Sequence, residues 1–450
     1  MKVLVVAYYF PPKGGAGTQR FAKFCKFLPE HGIEPVVLTV DEAEKSEHAP
    51  NDDRSLAAGT SCRVVRVAAP AKAPLSFRIR RKLRLHVDAD EWAWAAAERA
   101  VQLARAERFD AVITTLSPYA CYRVGERLQR ELGLPWIADL RDPWALDAWR
   151  VYPSPVHAAR DLGHLRRTLR TAAATIANVP EARRAFVALG ADADRCVTIP
   201  NGFDEEDFAA VAPQPRDDDT LRLVHVGTFH PADLAEGFTR NTLRRVRNRQ
   251  IEPIGRTGAP LLRAVAAYRD RVGAEAAQRQ LSVHFYGQVD DSHRALIAQL
   301  GLDALVTMHG YVAHRESIAA ALAADALFVP LHGVPVGERA LVVPGKLYEA
   351  LASERAILAA LPPGDGADLV RGLGAGEVVC PTDVGAIADV LQRWVAARAA
   401  GRPPVGCRRE ALGGFTRRSL TRQLATVIEA VARGAAPGPV VDPWRAAEIA

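Results

Sequence analysis

Lys2-Val-Leu-Val-Val-Ala7 is apolar at every position after the first. A strand with one face in water alternates polar and apolar residues, whereas a strand covered on both faces does not. This run therefore reads as one strand of a parallel sheet flanked by helices. The residues that follow define the unit. Tyr8-Tyr-Phe-Pro-Pro-Lys-Gly-Gly-Ala-Gly-Thr-Gln-Arg20 is a Gly-rich loop. Phe21, Phe24, Cys25 and Leu28 then recur at helical spacing, Gly32 closes the helix, and Glu34–Val40 is a second apolar strand. The alternation continues with strands expected at Arg63–Val67, Asp110–Thr115, Leu134–Ala138, Ala172–Ala177 and Cys196–Ile199. Residues 209–220, rich in Pro and Asp, read as a linker. The pattern then restarts, with strands expected at Leu221–Val226, Leu281–Tyr286, Val306–Met308, Ala326–Pro330, Ala356–Ala360 and Gly376–Cys380. Two successive arrays of this kind, with no sequence repeat between them, imply an α/β chain of two doubly wound Rossmann-like domains facing a cleft. The expected division is an N-terminal domain over 1–208, the linker, a second domain over 221–415, and a C-terminal helix and tail over 416–450. Whether that helix crosses back to the first domain is left open.

A length of 450 residues suits two or three domains, and 49% hydrophobic with 24% charged residues is an ordinary globular balance. The net charge of +6 and pI near 9.1 suit an anionic ligand or surface without specifying which. The six cysteines form no C-x-x-C pair and have irregular spacing, so reduced thiols in a cytoplasmic protein are expected. Val3–Phe10 is too short for a signal peptide and is broken at once by Pro11-Pro12, and no apolar run approaches the roughly 20 residues of a membrane span.

Two stretches carry most of the chemistry. Pro344-Gly-Lys-Leu-Tyr-Glu349 opens a helix whose Leu347, Ala350 and Leu351 pack on one face. Lys346 and Glu349 are neighbours on the other face. A helix N-terminus and a lysine suit a pyrophosphate, and a carboxylate can accept both hydroxyls of a ribose. A solvated Lys346–Glu349 ion pair is the plainer alternative. Asp139-Leu-Arg-Asp-Pro-Trp144 follows the strand expected at Leu134–Ala138, at the sheet edge where open α/β sheets bind ligands. Asp139, Arg141 and Asp142 can grip a polyhydroxyl ligand and Trp144 can cover a sugar face. The alternative there is a buried Asp139–Arg141 pair bracing the loop. Gly14, Gly15 and Gly17 permit close backbone approach to a ligand, but their spacing is not G-x-G-x-x-G, so a dinucleotide fingerprint is unsupported and a structural turn stays open.

Three basic segments, Phe77–Leu85, the helix over 157–171 with Arg160, Arg166, Arg167 and Arg170, and the insertion Ala232–Gln250, suit an anionic membrane or a phosphate. Solvated surface is the alternative for the first and the third. The charge is dispersed and no nucleic-acid reader motif is present.

Taken in order, Pro11-Pro-Lys-Gly-Gly15, Asp139–Trp144, Pro200-Asn-Gly-Phe-Asp204, Val226-Gly-Thr228, His309-Gly-Tyr-Val312 and Pro344–Glu349 resemble glycosyltransferase family 4, retaining enzymes of the GT-B fold. The Asp139–Trp144 and Pro344–Glu349 forms are similar to a branch found in surface-polysaccharide and glycoconjugate assembly. The resemblance implies that Glu349 is the second Glu of a Glu-x7-Glu motif and holds the nucleotide ribose. It places Gly227 and Thr228 at the donor pyrophosphate, and Arg256 and Lys346 as the cations on its phosphates. Gly15 and Gly17 would approach the donor from the other domain, with Ser117, Asp139, Arg141, Asp142 and Trp144 on the acceptor side. Two positions depart from the family: the first Glu is replaced by Leu341, with Glu338 off register, and Ser117-Pro118 stands where many relatives have a His.

The implied reaction moves a sugar from a nucleotide-diphosphate sugar to a hydroxyl of a glycan, a lipid-linked or a small-molecule acceptor, with no cofactor and no metal. Asp88-Ala-Asp90 and Asp192-Ala-Asp194 match D-x-D but sit at no strand end. The expected location is cytoplasmic, with peripheral contact at the inner face of the membrane left open. Two rivals remain: a nucleotide-sugar 2-epimerase-like isomerase, and a non-catalytic GT-B binding module.

Overall fold

A computed structural model describes residues 1–14, 16–44, 53, 61–70, 75, 82, 89–211, 218–234, 246–247, 251–438 and 443–444. Gly15, most of the 77–85 stretch and most of the 232–250 insertion lie outside the described residues. The chain forms two units. One comprises Met1–Asn201, Val246–Asn248 and Arg417–Asp442; the other comprises Gly202–Arg245, Arg249–Thr416 and Pro443–Ala450. The strands are β1 Lys2–Val6, β2 Glu34–Val40, β3 Arg63–Val67, β4 Ala111–Thr115, β5 Trp136–Leu140, β6 Val151–Tyr152, β7 Ala174–Ala177, β8 Cys196–Thr198, β9 Leu221–Val226, β10 Val246–Arg247, β11 Leu281–Tyr286, β12 Val306–Gly310, β13 Ala326–Pro330, β14 Ala356–Ala360 and β15 Gly376–Val379.

The first unit is built on a seven-stranded sheet in the order β3-β2-β1-β4-β5-β7-β8, parallel throughout. Residues 3–7 are all buried, as an unbroken apolar strand between two helix layers must be. Strand order reverses between β1 and β4, so a crevice opens beyond their carboxyl ends, and the loops after β1, β4 and β5 converge there. The helix Arg417–Ala432 belongs to this unit. Its Leu420, Leu424, Val427, Ile428 and Val431, at helical spacing, pack with Val3, Phe21, Phe24 and Ile137 in one core. β6 pairs antiparallel with β10, a two-stranded sheet that the sequence pattern does not foreshadow because each strand is only two residues long.

One strand is displaced from its expected place, and the displacement matters for the site. The apolar run suggests Leu134–Ala138, but Pro135 has no N–H to give a ladder. β5 accordingly starts at Trp136 and runs through Leu140. Asp139 is therefore inside the sheet, registered between Thr115 and Ile176, rather than in the loop beyond it.

The second unit holds a six-stranded parallel sheet in the order β12-β11-β9-β13-β14-β15. Leu223, Phe285, Phe328 and Leu358 from four strands pack against Leu262 and Val265 of the helix Ala259–Val272 and Ile387 and Leu391 of the helix Val384–Ala399. Here the order reverses between β9 and β13, which puts the turn at Gly227 and the segment after Pro330 beside the second crevice. The helix Gly345–Ala352 lies between β13 and β14 in the chain. Two helices at Asp291–Gln299 and Asp365–Gly372 have no counterpart in the pattern reading. The first is capped by Asp290, whose carboxylate accepts from the His293 N–H. Among the described residues, no helix is long and apolar enough to cross a membrane.

Candidate active site

In the first unit the crevice beyond β1, β4 and β5 gathers some of the expected residues and buries others. Gly17 lies in the first turn of the helix Ala16–Phe27, and the Arg141 guanidinium rests directly on it. A Cβ at position 17 would stand 2.2 Å from Arg141 Nη1, so any larger residue expels the arginine. Arg141 also lies 5.7 Å from the Tyr9 ring centroid, and its Nε is 3.4 Å from Asp142 Oδ2. Ser117, half-buried, follows β4, the strand between β1 and β5. Gly17, Ser117, Arg141 and Asp142 thus share one end of the sheet.

Asp139 and Trp144 do not join them, and this corrects the acceptor-side assignment. Asp139 is 1% exposed and forms a buried ion pair with Arg20, also 1% exposed, at 2.7 Å. Arg20 Nε donates to Asp139 Oδ2 at 3.1 Å, and its terminal nitrogens donate to the carbonyls of Ile199 and Pro200, both at 2.9 Å. The pair ties the first helix, β5 and the Pro200-Asn-Gly segment together. A bracing pair was one of the two sequence readings, but its cation is Arg20 and not Arg141. Trp144 is fully buried, at a φ of 49° that is uncommon for a bulky residue. Its Nε1 donates to Asp161 Oδ1 at 2.9 Å, and its ring stacks on Tyr119 at 5.4 Å. Asp161 also accepts from Arg150 at 2.8 Å and Tyr152 at 2.6 Å. The indole is therefore anchored beneath the loop and offers no face to a sugar.

The second unit brings its candidates together more tightly. Lys346 is the second residue of the helix Gly345–Ala352, where the free N–H groups and the positive dipole end lie. Its Nζ is 3.1 Å from His225 Nε2 on β9 and reaches across to Gly227. Gly227 has a φ of 120°, and a Cβ there would stand 3.1 Å from the lysine nitrogen. Glycine is thus required twice over, by the backbone conformation and by the approach of the cation. Thr228 follows it and is exposed. Arg256 ends the turn Pro253–Arg256, and its carbonyl accepts from the His230 N–H at 3.4 Å.

The electrostatics show that these groups act on one another. Burial, then the charge of Arg256, pushes Lys346 down to about 7, with Glu349 pulling the other way. Burial, then Arg256 and Lys346, lowers His230 to about 4. Burial, then Arg256 and His230, lowers His332 to about 3. Burial and the Lys346 charge hold His225 well below the usual imidazole range. Two cations therefore sit among imidazoles that stay neutral at pH 7, a setting that favours an anion.

Glu349, one turn on from Lys346, turns to a different histidine: its Oε1 is 3.0 Å from Nε2 of His314, the first residue of the helix His314–Leu322. His314 Nδ1 is 3.9 Å from Asp207. A pocket beside Lys346 and Glu349 is lined by Phe208, Ile318, Phe328 and Ala350. At position 341 the buried Leu341 offers no carboxylate. Among the described residues, no group of three or more His, Cys, Asp or Glu could hold a metal ion. Of the two D-x-D matches, Asp88 lies outside the described residues and Asp90 is buried on Arg123 at 2.7 Å. Asp192 and Asp194 form an exposed turn.

The sequence analysis gives no role to His225, His230, His314, His332 or Arg20. Only His225 carried a clear signal, as a lone imidazole in the apolar strand Leu221–Val226.

Residues 14–202 match the glycosyl transferase 4-like domain family. No curated protein matches the chain by sequence. Among solved structures, HepE of Anabaena in complex with UDP and glucose is similar with a TM-score of 0.57 and 16% identity, over 95% of this chain and 99% of that one. Sucrose-phosphate synthase of Thermosynechococcus elongatus is similar at 0.58 and 16%, over 96% of each chain. A UDP-N-acetylglucosamine 2-epimerase assignment from Listeria monocytogenes, itself given as putative, is similar at 0.56 and 10%, over 98% of this chain and 99% of that one. At such identities the likeness is one of fold, and the fold is GT-B. Within that fold, residues 14–202 are similar to the glycosyl transferase 4-like domain. It is an enzyme of the glycosyltransferase class.

Proposed function

We propose that this enzyme moves a sugar from a nucleotide-diphosphate sugar to an acceptor hydroxyl, with retention at the anomeric carbon. The observation that carries this reading is Lys346 at the start of the helix Gly345–Ala352, with its Nζ on the neutral His225 and against Gly227, and with the charge of Arg256 acting on it. In the reaction the bond between the anomeric carbon and the diphosphate oxygen breaks, and its electrons leave with the diphosphate. Lys346, Arg256 and the helix N–H groups stabilise that growing charge. The acceptor oxygen bonds to the anomeric carbon, and its proton passes to the departing diphosphate, so no protein base is demanded. Glu349, held by His314, accepts from the ribose hydroxyls. Arg141, Asp142 and Ser117 are the acceptor-side groups of this reading, and Gly17 gives Arg141 its place. Arg166, Arg167 and Arg170 are exposed on the helix Pro155–Thr171 and suit contact with an anionic membrane.

The test is a thermal-shift screen with UDP, GDP, ADP and TDP on the wild type and Glu349→Ala. HepE was captured with UDP, which makes UDP the first to try. At 100 times its Kd, a nucleotide that binds only the folded state adds about 2.7 kcal/mol. One nucleotide is expected to raise the midpoint, with most of the effect lost in Glu349→Ala. A flat response to all four sinks the donor site.

The lowered Lys346 pKa adds a dependence on pH. A diphosphate beside the ammonium favours its charged form, so binding raises the pKa from about 7. Binding must then take up protons above pH 7, and affinity for a nucleotide sugar must fall as the pH climbs from 7 towards 10. Uptake is about half a proton at pH 7 and fades as the pH falls further, because the free lysine is then already charged; His225, His230 and His332 stay neutral from pH 7 upwards. Calorimetry of UDP binding in buffers of different ionisation enthalpy should show uptake approaching one proton at pH 8. Uptake should be close to none in Lys346→Met; equal uptake in the variant would remove Lys346 from this role.

A further inference from the structure

His225 is the one buried polar residue of β9, and its surroundings are aromatic. Its ring stacks on Phe229 at 3.8 Å and meets the edge of Phe285 at 6.3 Å. Both ring nitrogens have partners. Nδ1 is 2.9 Å from the Phe328 carbonyl oxygen, and Nε2 is 3.1 Å from Lys346 Nζ. A carbonyl can only accept, so Nδ1 carries the hydrogen and donates. Nε2 is left with a lone pair, and the lysine nitrogen donates to it. The registered pairing of β9 with β13 ends at Val224–Leu327, and the next carbonyl on β13, that of Phe328, is taken by the imidazole. The strand thus diverts a backbone acceptor to orient one side chain. Phe or Leu would fill the same slot without a buried polar ring to satisfy.

We propose that His225 is a positioning residue that holds the Lys346 ammonium against Gly227, where a donor diphosphate meets it. The inference rests on the reading of Lys346 as a diphosphate cation. Its physical content is orientation. Lys346 has a flexible four-carbon stem and a carboxylate, Glu349, three residues along the same helix. The charge of Arg256, on the turn Pro253–Arg256, repels the ammonium. The Nε2 lone pair of His225 is a neutral acceptor that fixes the ammonium without neutralising it, so the charge stays available to an anion. An acidic residue at 225 would hold Lys346 more strongly and cancel that charge.

Two amide substitutions separate this role from simple packing. In His225→Asn the amide reaches the position of Nδ1 and can still donate to the Phe328 carbonyl, but it stops short of Lys346. In His225→Gln the side-chain oxygen reaches the position of Nε2 and can still accept from Lys346. UDP affinity is measured by calorimetry at pH 7 for the wild type, both variants, Lys346→Ala and the double variant His225→Asn/Lys346→Ala. His225→Asn is expected to weaken UDP binding about tenfold, the value of one hydrogen bond to a charged group, and His225→Gln by less than about threefold. The double variant should bind as Lys346→Ala does, because His225 acts only through the lysine. Equal losses in Asn and Gln, or an added loss in the double variant, overturn the positioning role. Normal UDP binding by Lys346→Ala, or a wild type that binds none of UDP, GDP, ADP and TDP, overturns the diphosphate reading and this inference with it; if the wild type binds another of the four instead of UDP, the same series is read with that nucleotide. If Lys346→Ala loses binding and His225→Asn keeps it, only the inference falls.

Discussion

Lys346→Ala is expected to lower the turnover of sugar transfer by about two to three orders of magnitude, the usual cost of removing one preorganised donor from a developing anion. The effect should fall on kcat more than on KM, because the charge on the diphosphate grows as the glycosidic bond breaks. Lys346→Arg should recover little of it. The arginine fork is larger than the ammonium, and Gly227, whose missing Cβ would already stand 3.1 Å from Nζ, leaves no room for it. Steady-state kinetics with the nucleotide sugar that the screen selects would check this. Turnover within a few-fold of the wild type would remove Lys346 from the reaction and shift the burden to Arg256.

Asp139→Ala is expected to destabilise the first unit by about 3–5 kcal/mol, because it leaves the buried Arg20 guanidinium without its counter-charge. The comparison variant is Asp142→Ala. Asp142 is 42% exposed and its contact with Arg141 is 3.4 Å long, so its loss should change stability by less than about 1 kcal/mol. Denaturant unfolding of both variants distinguishes a brace from a ligand group. An Asp139 variant as stable as the wild type but inactive would restore that residue to the acceptor side; the geometry predicts the reverse, lost stability first.

The contrast between these two carboxylates shows what a one-dimensional reading can and cannot reach. The strands were legible because a covered parallel strand must be apolar at every position, and Val3–Val6 and Ala356–Ala360 have no alternative use for such a run. The Pro344–Glu349 helix was legible because its capping residues, its packed face and its two charged residues lie within nine positions. Asp139 was misplaced by the single proline that moves β5 two residues on. Its partner Arg20 lies 119 positions away, and no local spacing links them. The same holds for the histidines. His225 and Lys346 are 121 positions apart and His314 and Glu349 are 35 apart, joined only when β9 and the two helices assemble. Lys346 and Glu349 were picked out by their own local pattern, but what each is held by was not, so the choice between a solvated ion pair and a ligand site could not be made from adjacent residues. Trp144 shows the opposite error. An indole beside charged residues looks like a sugar platform until Asp161, on a later helix, is seen to hold its nitrogen.

The helix Arg417–Ala432 contributes Leu420, Leu424, Val427 and Ile428 to the core of a sheet whose own strands end at Thr198. During synthesis that sheet leaves the ribosome long before its covering helix does, and the second unit up to Thr416 is made in between. Until then one apolar face of the first sheet must wait in water or in the care of a chaperone. Residues 1–201 are for this reason a poor fragment to express alone, and a frameshift or stop codon just before residue 417 would damage the first half of the protein more than the second.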